Sequence, residues 1–126
     1  VKVAYVDTSC LVAIAFGERG ATAVERRLDG FDALVASSLL EAELRAAFKR
    51  EKTDGADALL EMIEWISPER PLGDEIARVL SAGHVRGADC WHLATALYLS
   101  PDPGEISFVT LDARQREVAE SLGFLR

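Results

Sequence analysis

Val3-Ala-Tyr-Val6, Asp7-Thr8-Ser9 and Leu11-Val-Ala-Ile-Ala-Phe16 follow one another with only Cys10 between them. Four β-prone residues, three residues favoured at helix starts and a six-residue apolar run read as strand, turn and helix. The pattern returns downstream. A second buried strand is predicted over 33–36, after a helix over 21–28. Ser37 and Ser38 then open a long helix reaching about residue 52, and Asp54-Gly55 breaks it before a helical stretch over 56–65. Residue 66, with Pro68 and Pro71, suggests a short edge strand. Helices are expected over 74–85 and 89–99 with Gly87 between them, then a loop over 101–104, a strand over 106–110, a helix over 113–122 and a last strand over 123–125. Strands alternating with helices at this density imply a three-layer α/β/α sandwich around a mainly parallel sheet.

The chain has 126 residues, 49% hydrophobic and 28% charged, which suits one compact domain spanning 1–126. At this size roughly 65–70% of the unfolded surface can be buried, so neither disulfides nor a structural metal are needed to hold a core. Cys10 and Cys90 lack CxxC spacing and read as two buried thiols. The longest apolar run is far short of the ~20 residues that span a bilayer, and no leader pattern opens the chain, so a cytoplasmic protein is expected. The net charge of −7 argues against a protein that simply coats nucleic acid. It does not argue against a nuclease whose acids gather around a cation: with four such acids set aside, 17 acidic residues face 14 basic ones.

Parallel sheets bind ligands at the carboxyl ends of their strands. Asp7 directly follows the first strand and Asp112 the strand ending near Thr110, although each also reads as an ordinary helix N-cap. In the helix from Ser38, the apolar arc holds Leu39, Leu40, Leu44, Ala46, Ala47 and Phe48, and Glu43 falls inside it. A carboxylate there is costly unless paired, protonated or coordinated. Its bland explanation is a partly buried ion pair, although Arg50, on the same flank, lies two turns away, too distant for direct contact. Glu41 reads as the acid of a capping box with Ser38. Asp89 shares a stripe with Leu93 and Ala96, near a helix start where a carboxylate is favourable anyway by roughly 0.3–1 kcal/mol. Acids gathered at one rim repel one another and persist most readily beside hard divalent cations; carboxylates with water suit Mg2+ or Mn2+.

Tyr5-Val-Asp-Thr-Ser9, Ser37-Ser-Leu-Leu-Glu-Ala-Glu-Leu-Arg45, Arg86-Gly-Ala-Asp-Cys-Trp-His-Leu-Ala-Thr-Ala96 and Phe108-Val-Thr-Leu-Asp112 resemble, in order and spacing, the four acidic motifs of PIN-domain ribonucleases. The resemblance covers almost the whole chain, and its size is most similar to VapC-type toxins of toxin–antitoxin pairs. It implies a Mg2+- or Mn2+-dependent endoribonuclease whose catalytic and metal-holding acids are Asp7, Glu43, Asp89 and Asp112. Asp7 and Asp89 would be the closest ligands, Glu43 would hold the metal or orient water, and Asp112 would complete a looser site. Thr8, Ser9 and Thr110 are secondary candidates for metal water or phosphate. RNA would be the substrate and a small antitoxin protein the partner; a homodimer is also expected. His92 stands where the family often has His, although helix packing is the plainer role. Core packing is expected for Cys10, Cys90 and Trp91.

Phosphodiester hydrolysis suits such a site, because a cation-activated water attacks in line and no protein nucleophile is required. No triad spacing is present. A haloacid-dehalogenase-like phosphatase needs a second Asp where Ser9 stands, and a response-regulator receiver needs a late Lys, whereas no Lys follows Lys52. Substrate contact must come from local cations. Arg45, Lys49 and Lys52 form a stripe, with an Arg45–Glu41 pair on a solvated face as its plain reading, and Arg86, Arg114 and Arg116 lie close to site acids. Arg86 and Arg114 are the candidates for phosphate. The alternative is a PIN-like module that binds protein or RNA without cleaving it.

Overall fold

The computed structural model describes residues 1–126. Strands β1 (Val3–Val6), β2 (Ala33–Ser37), β3 (Ile63–Ile66) and β4 (Ser107–Val109) form one sheet in the order β3-β2-β1-β4, with every pair parallel. Around it lie helices α1 (Thr8–Phe16), α2 (Ala21–Leu28), α3 (Leu39–Arg50), α4 (Ala56–Leu60), α5 (Gly73–Ala82), α6 (Gly87–Leu99) and α7 (Ala113–Leu122). Parallel neighbours need crossover connections, so the helices cover both faces and the result is the three-layer α/β/α sandwich that the alternating pattern predicts. Helices α1 and α6 are apolar on nearly every side because they pack between other elements. In α6 every residue from Cys90 to Leu97 except Trp91 is buried. Cys10 and Cys90 are free thiols in the buried interior, as expected.

Tyr5 lies opposite Val35 and Phe108 in the sheet. Its ring stacks on Phe108 at 5.2 Å and meets His92 of α6 edge-on at 5.7 Å, which seats α6 over the central strands. Its neighbours Ala4 and Val6 are buried on the opposite face.

Several boundaries differ from expectation. The stretch 56–65 is not one helix: α4 ends at Leu60, and Ile63–Ile66 pairs with β2 as an edge strand, burying Ile63 and Ile66 and exposing Glu64 and Trp65. Short apolar runs carry no decisive period, and the open edge of β2 settled this one. Helix α3 stops at Arg50, and Lys52 takes the left-handed conformation at φ 53°. Helix α5 ends at Ala82 rather than near 85. Residues 123–125 supply a single parallel bridge, Leu125 beside Ser107, instead of a strand. Gly123, at φ +105°, closes α7 and turns the chain back to reach it.

The chain leaves β1 toward β2 on one side and β4 enters on the other. The sheet's order therefore reverses at the carboxyl ends of β1 and β4, where a crevice must open.

Candidate active site

The crevice is a cleft of about 600 Å³ lined by Asp7, Glu43, Asp89 and Asp112. Four elements supply them: the N-caps of α1 and α7, the second turn of α3 and the first turn of α6. The capping readings of Asp7 and Asp112 hold alongside this placement. Asp7 Oδ2 accepts from Ser9 N at 3.0 Å and Asp112 Oδ1 from Gln115 N at 2.8 Å. A cap and a cleft carboxylate are compatible because a carboxylate has about four acceptor sites and the cap uses one.

Asp7 is only 5% exposed, and its second oxygen is held by a residue that sequence reasoning missed. Gln115 is fully buried; its Nε2 donates to Asp7 Oδ1 at 3.1 Å, and its Oε1 accepts from Thr110 Oγ1 at 2.6 Å. It shares a buried stripe with Val118, Ala119 and Leu122, so the polar-on-apolar-stripe signal that singled out Glu43 was present here too.

Glu43 finds its partners on other elements, and Arg50, two turns on, is too distant as its spacing implies. Its Oε1 accepts from Thr8 Oγ1 and from His92 Nε2, both at 2.7 Å. Partial burial works against its charge, but the hydrogen bonds from His92 and Thr8 outweigh that and hold its carboxyl below the ordinary glutamate range. Asp89 has the opposite environment. Burial first, then the charges of Asp7 and Asp112, push its carboxyl above the ordinary aspartate range.

The capping box does not form. Ser38 is itself helical and makes no side-chain cap; Ser37 Oγ accepts from Leu39 N at 3.2 Å instead. Glu41 turns outward to Arg45 at 2.7 Å, and Arg45 also holds Asp57 at 2.7 Å. This stripe therefore belongs to a separate groove rather than to the acids. Thr8 and Ser9 line the cleft, whereas Thr110 lies behind it and ties Gln115 to the Asp112 backbone. Ser9 Oγ accepts from Leu111 N at 3.1 Å, joining the loops after β1 and β4.

Neither Arg86 nor Arg114 lines the cleft. Arg114 is drawn to the His84 carbonyl at 2.9 Å and to Glu117 at 3.1 Å, and Arg86 precedes α6 on the surface. The cations beside the acids are Arg19 and Arg50, and neither forms an ion pair with any of the four. Arg19 follows Gly17, whose left-handed cap at φ 62° ends α1, and nothing local in the sequence marks where that turn delivers it.

The donor set facing the cleft is all oxygen, short of positive charge, and partly preformed by Ser9 and Gln115. This fits a hard divalent cation. No three of these side chains stand close enough to enclose an ion by themselves, so water or substrate oxygens would have to complete the shell of any cation held there.

The family model for the PIN domain matches residues 4–121 of this chain. Ribonuclease VapC45 of Mycobacterium tuberculosis (strain CDC 1551 / Oshkosh) is 32% identical over 113 residues, covering 79% of this chain and 78% of its own. Ribonuclease VapC49 of Mycobacterium tuberculosis (strain ATCC 25618 / H37Rv) matches with the same identity and coverage. No solved structure matches the chain significantly.

Proposed function

This chain belongs to the PIN-domain family, and from that premise we propose that it is a divalent-cation-dependent endoribonuclease, the toxin of a toxin–antitoxin pair. The observation that carries the reading is the meeting of four carboxylates from four separate elements in one cleft at the sheet's switch point. Asp7 and Asp89 would hold Mg2+ or Mn2+, with Glu43 and Asp112 completing its surroundings. When bound, such a cation supplies Lewis-acid stabilisation of the charge that builds on the phosphoryl oxygens.

The chain's own residues do the rest. Ser9 N and Gln115 Nε2 hold Asp7 in one orientation, so little reorganisation accompanies the reaction. Glu43, ionised and with Oε2 free of protein partners, is suited to orient the attacking water. Arg19 and Arg50 are unpaired with the acids and can take the flanking phosphates of a single strand. The deciding experiment is cleavage of a panel of structured RNAs with Mg2+ or Mn2+, with excess EDTA, and by Asp7→Asn. Cleavage should need the cation and vanish in EDTA. Full activity in EDTA would overturn the metal reading, and binding without cleavage under all conditions would favour the non-catalytic module. Partners follow the same reading: a small co-encoded antitoxin should copurify from the native host, and sedimentation should report a homodimer.

Arg19→Gln with Arg50→Gln should weaken RNA binding measured in EDTA. It should also flatten the dependence of log affinity on log salt by about 0.7 for each phosphate that is no longer neutralised. An unchanged slope would mean that these arginines do not touch the strand.

A further inference from the structure

His92 is fully buried, and the cation chemistry of the cleft gives it no direct part. Both its ring nitrogens are nonetheless engaged. Nδ1 lies 2.7 Å from the Tyr5 hydroxyl and Nε2 lies 2.7 Å from Glu43 Oε1. Which nitrogen carries the proton follows from the carboxylate that Nε2 faces. A carboxylate oxygen can only accept, so the 2.7 Å contact with Glu43 Oε1 requires a proton on Nε2. In the neutral ring Nδ1 is then the acceptor of the Tyr5 hydroxyl, whose oxygen in turn accepts from the Ser37 backbone N–H at 3.0 Å. The result is a one-way chain of donors: Ser37 N–H to Tyr5, Tyr5 O–H to His92, His92 Nε2–H to Glu43. No buried polar atom in it is left without a partner.

We propose that His92 is a positioning residue which, with Nδ1 held from behind by Tyr5 and the Ser37 backbone, fixes the Glu43 carboxylate in the cleft. This rests on the reading of Glu43 as part of the cation and water site. Without the chain, only Thr8 would hold Oε1, and α3 would leave Glu43 free to swing among its rotamers. The chain starts on β2 and passes through β1 and α6 to α3. It therefore ties Glu43 to the central strands, where Tyr5 is itself locked by stacking on Phe108. Partners behind a metal-site ligand commonly carry a 10–100-fold share of metal affinity, roughly the scale expected here.

Two substitutions separate positioning from packing. The amide nitrogen of His92→Gln can reach the place of Nε2 and keep a donor to Glu43. His92→Asn reaches only the place of Nδ1 and loses that donor. With the full chain, Mn2+-induced thermal stabilisation and Mn2+-dependent RNA cleavage are titrated for both. His92→Asn should raise the half-maximal Mn2+ concentration by about tenfold or more in both readouts, and His92→Gln by no more than about threefold. Equal shifts in the two variants would reduce His92 to core packing and overturn the proposal. Two-bond 1H–15N spectra of the wild-type ring, recorded without metal, test the tautomer with no substitution at all. An Nε2–H neutral ring is expected, and an Nδ1–H or doubly protonated ring would overturn the chain even if neither variant folds. Glu43→Gln, run alongside, separates two failures. If it leaves the Mn2+ response intact, the reading of Glu43 itself is wrong. If it removes the response while the His92 variants do not split, only the positioning chain fails.

Discussion

Asp7→Asn should cut metal-dependent RNA cleavage by on the order of 10²–10³-fold or more at saturating Mn2+ while leaving a folded protein. The carboxylate is buried at the carboxyl end of the central strand, and its backbone N–H continues the β1–β4 ladder to the Val109 carbonyl at 2.9 Å. Its position is thus set by the sheet and no neighbouring side chain can substitute for it. The fold tolerates the change because Asn caps a helix about as well as Asp, so Ser9 N keeps an acceptor. The cost falls on the second oxygen: an amide there would face the Gln115 Nε2 donor unless Gln115 and the Thr110 hydroxyl reverse together. One such rearrangement is worth about 1 kcal/mol. Circular dichroism and thermal melts should therefore resemble wild type, while cleavage and the Mn2+-induced rise in melting temperature disappear. A folded Asp7→Asn protein with ordinary activity would remove this cleft from the mechanism.

Asp7 and Asp112 were legible in the sequence because an acid closing a β-prone run announces a strand end, and strand ends define the functional rim of a parallel sheet. The bounds of α2 and α7 coincide with those expected, since both carry clear apolar stripes and stop at or near a glycine. Glu43 was visible as a charge on an apolar stripe, but its partners were not. Thr8 and His92 lie 35 and 49 residues away and meet it only because β1, α3 and α6 converge. Glu41 shows local motif reading losing to a nearer competitor: Arg45 one turn on, itself anchored by Asp57, draws the carboxylate outward and away from Ser38. The arginines show the same limit. Sequence proximity to Asp89 and Asp112 nominated Arg86 and Arg114, yet α7 carries Arg114 toward His84, while Arg19 arrives through a loop reversal that no periodicity encodes.

Neutralising two acids of the same cleft should move stability in opposite directions. Asp89 is held above its ordinary pKa by burial and by the charges of Asp7 and Asp112, so its ionised form is worse off folded than unfolded. The metal-free protein should accordingly gain stability as pH falls through that raised value, and Asp89→Asn should show the same gain at neutral pH, on the order of a few degrees in melting temperature. Glu43 is the reverse case. Its folded pKa lies below the ordinary value because His92 and Thr8 donate to the charged form, so its contribution is present above the unfolded value and is lost as pH falls through the folded one. Glu43→Gln keeps an acceptor for both donors but loses the charge that strengthens them, and should lower the melting temperature of the metal-free protein by the equivalent of at most about 1 kcal/mol. Both substitutions should nevertheless abolish most of the stabilisation by Mn2+ and most of the cleavage. The exposed Glu41→Gln, two residues from Glu43, should leave both intact. Melts with and without Mn2+ on the three variants decide the matter: a lower metal-free melting temperature for Asp89→Asn would mean that burial and the neighbouring acids do not strain the Asp89 carboxylate, and that reason for expecting a cation beside it would be gone.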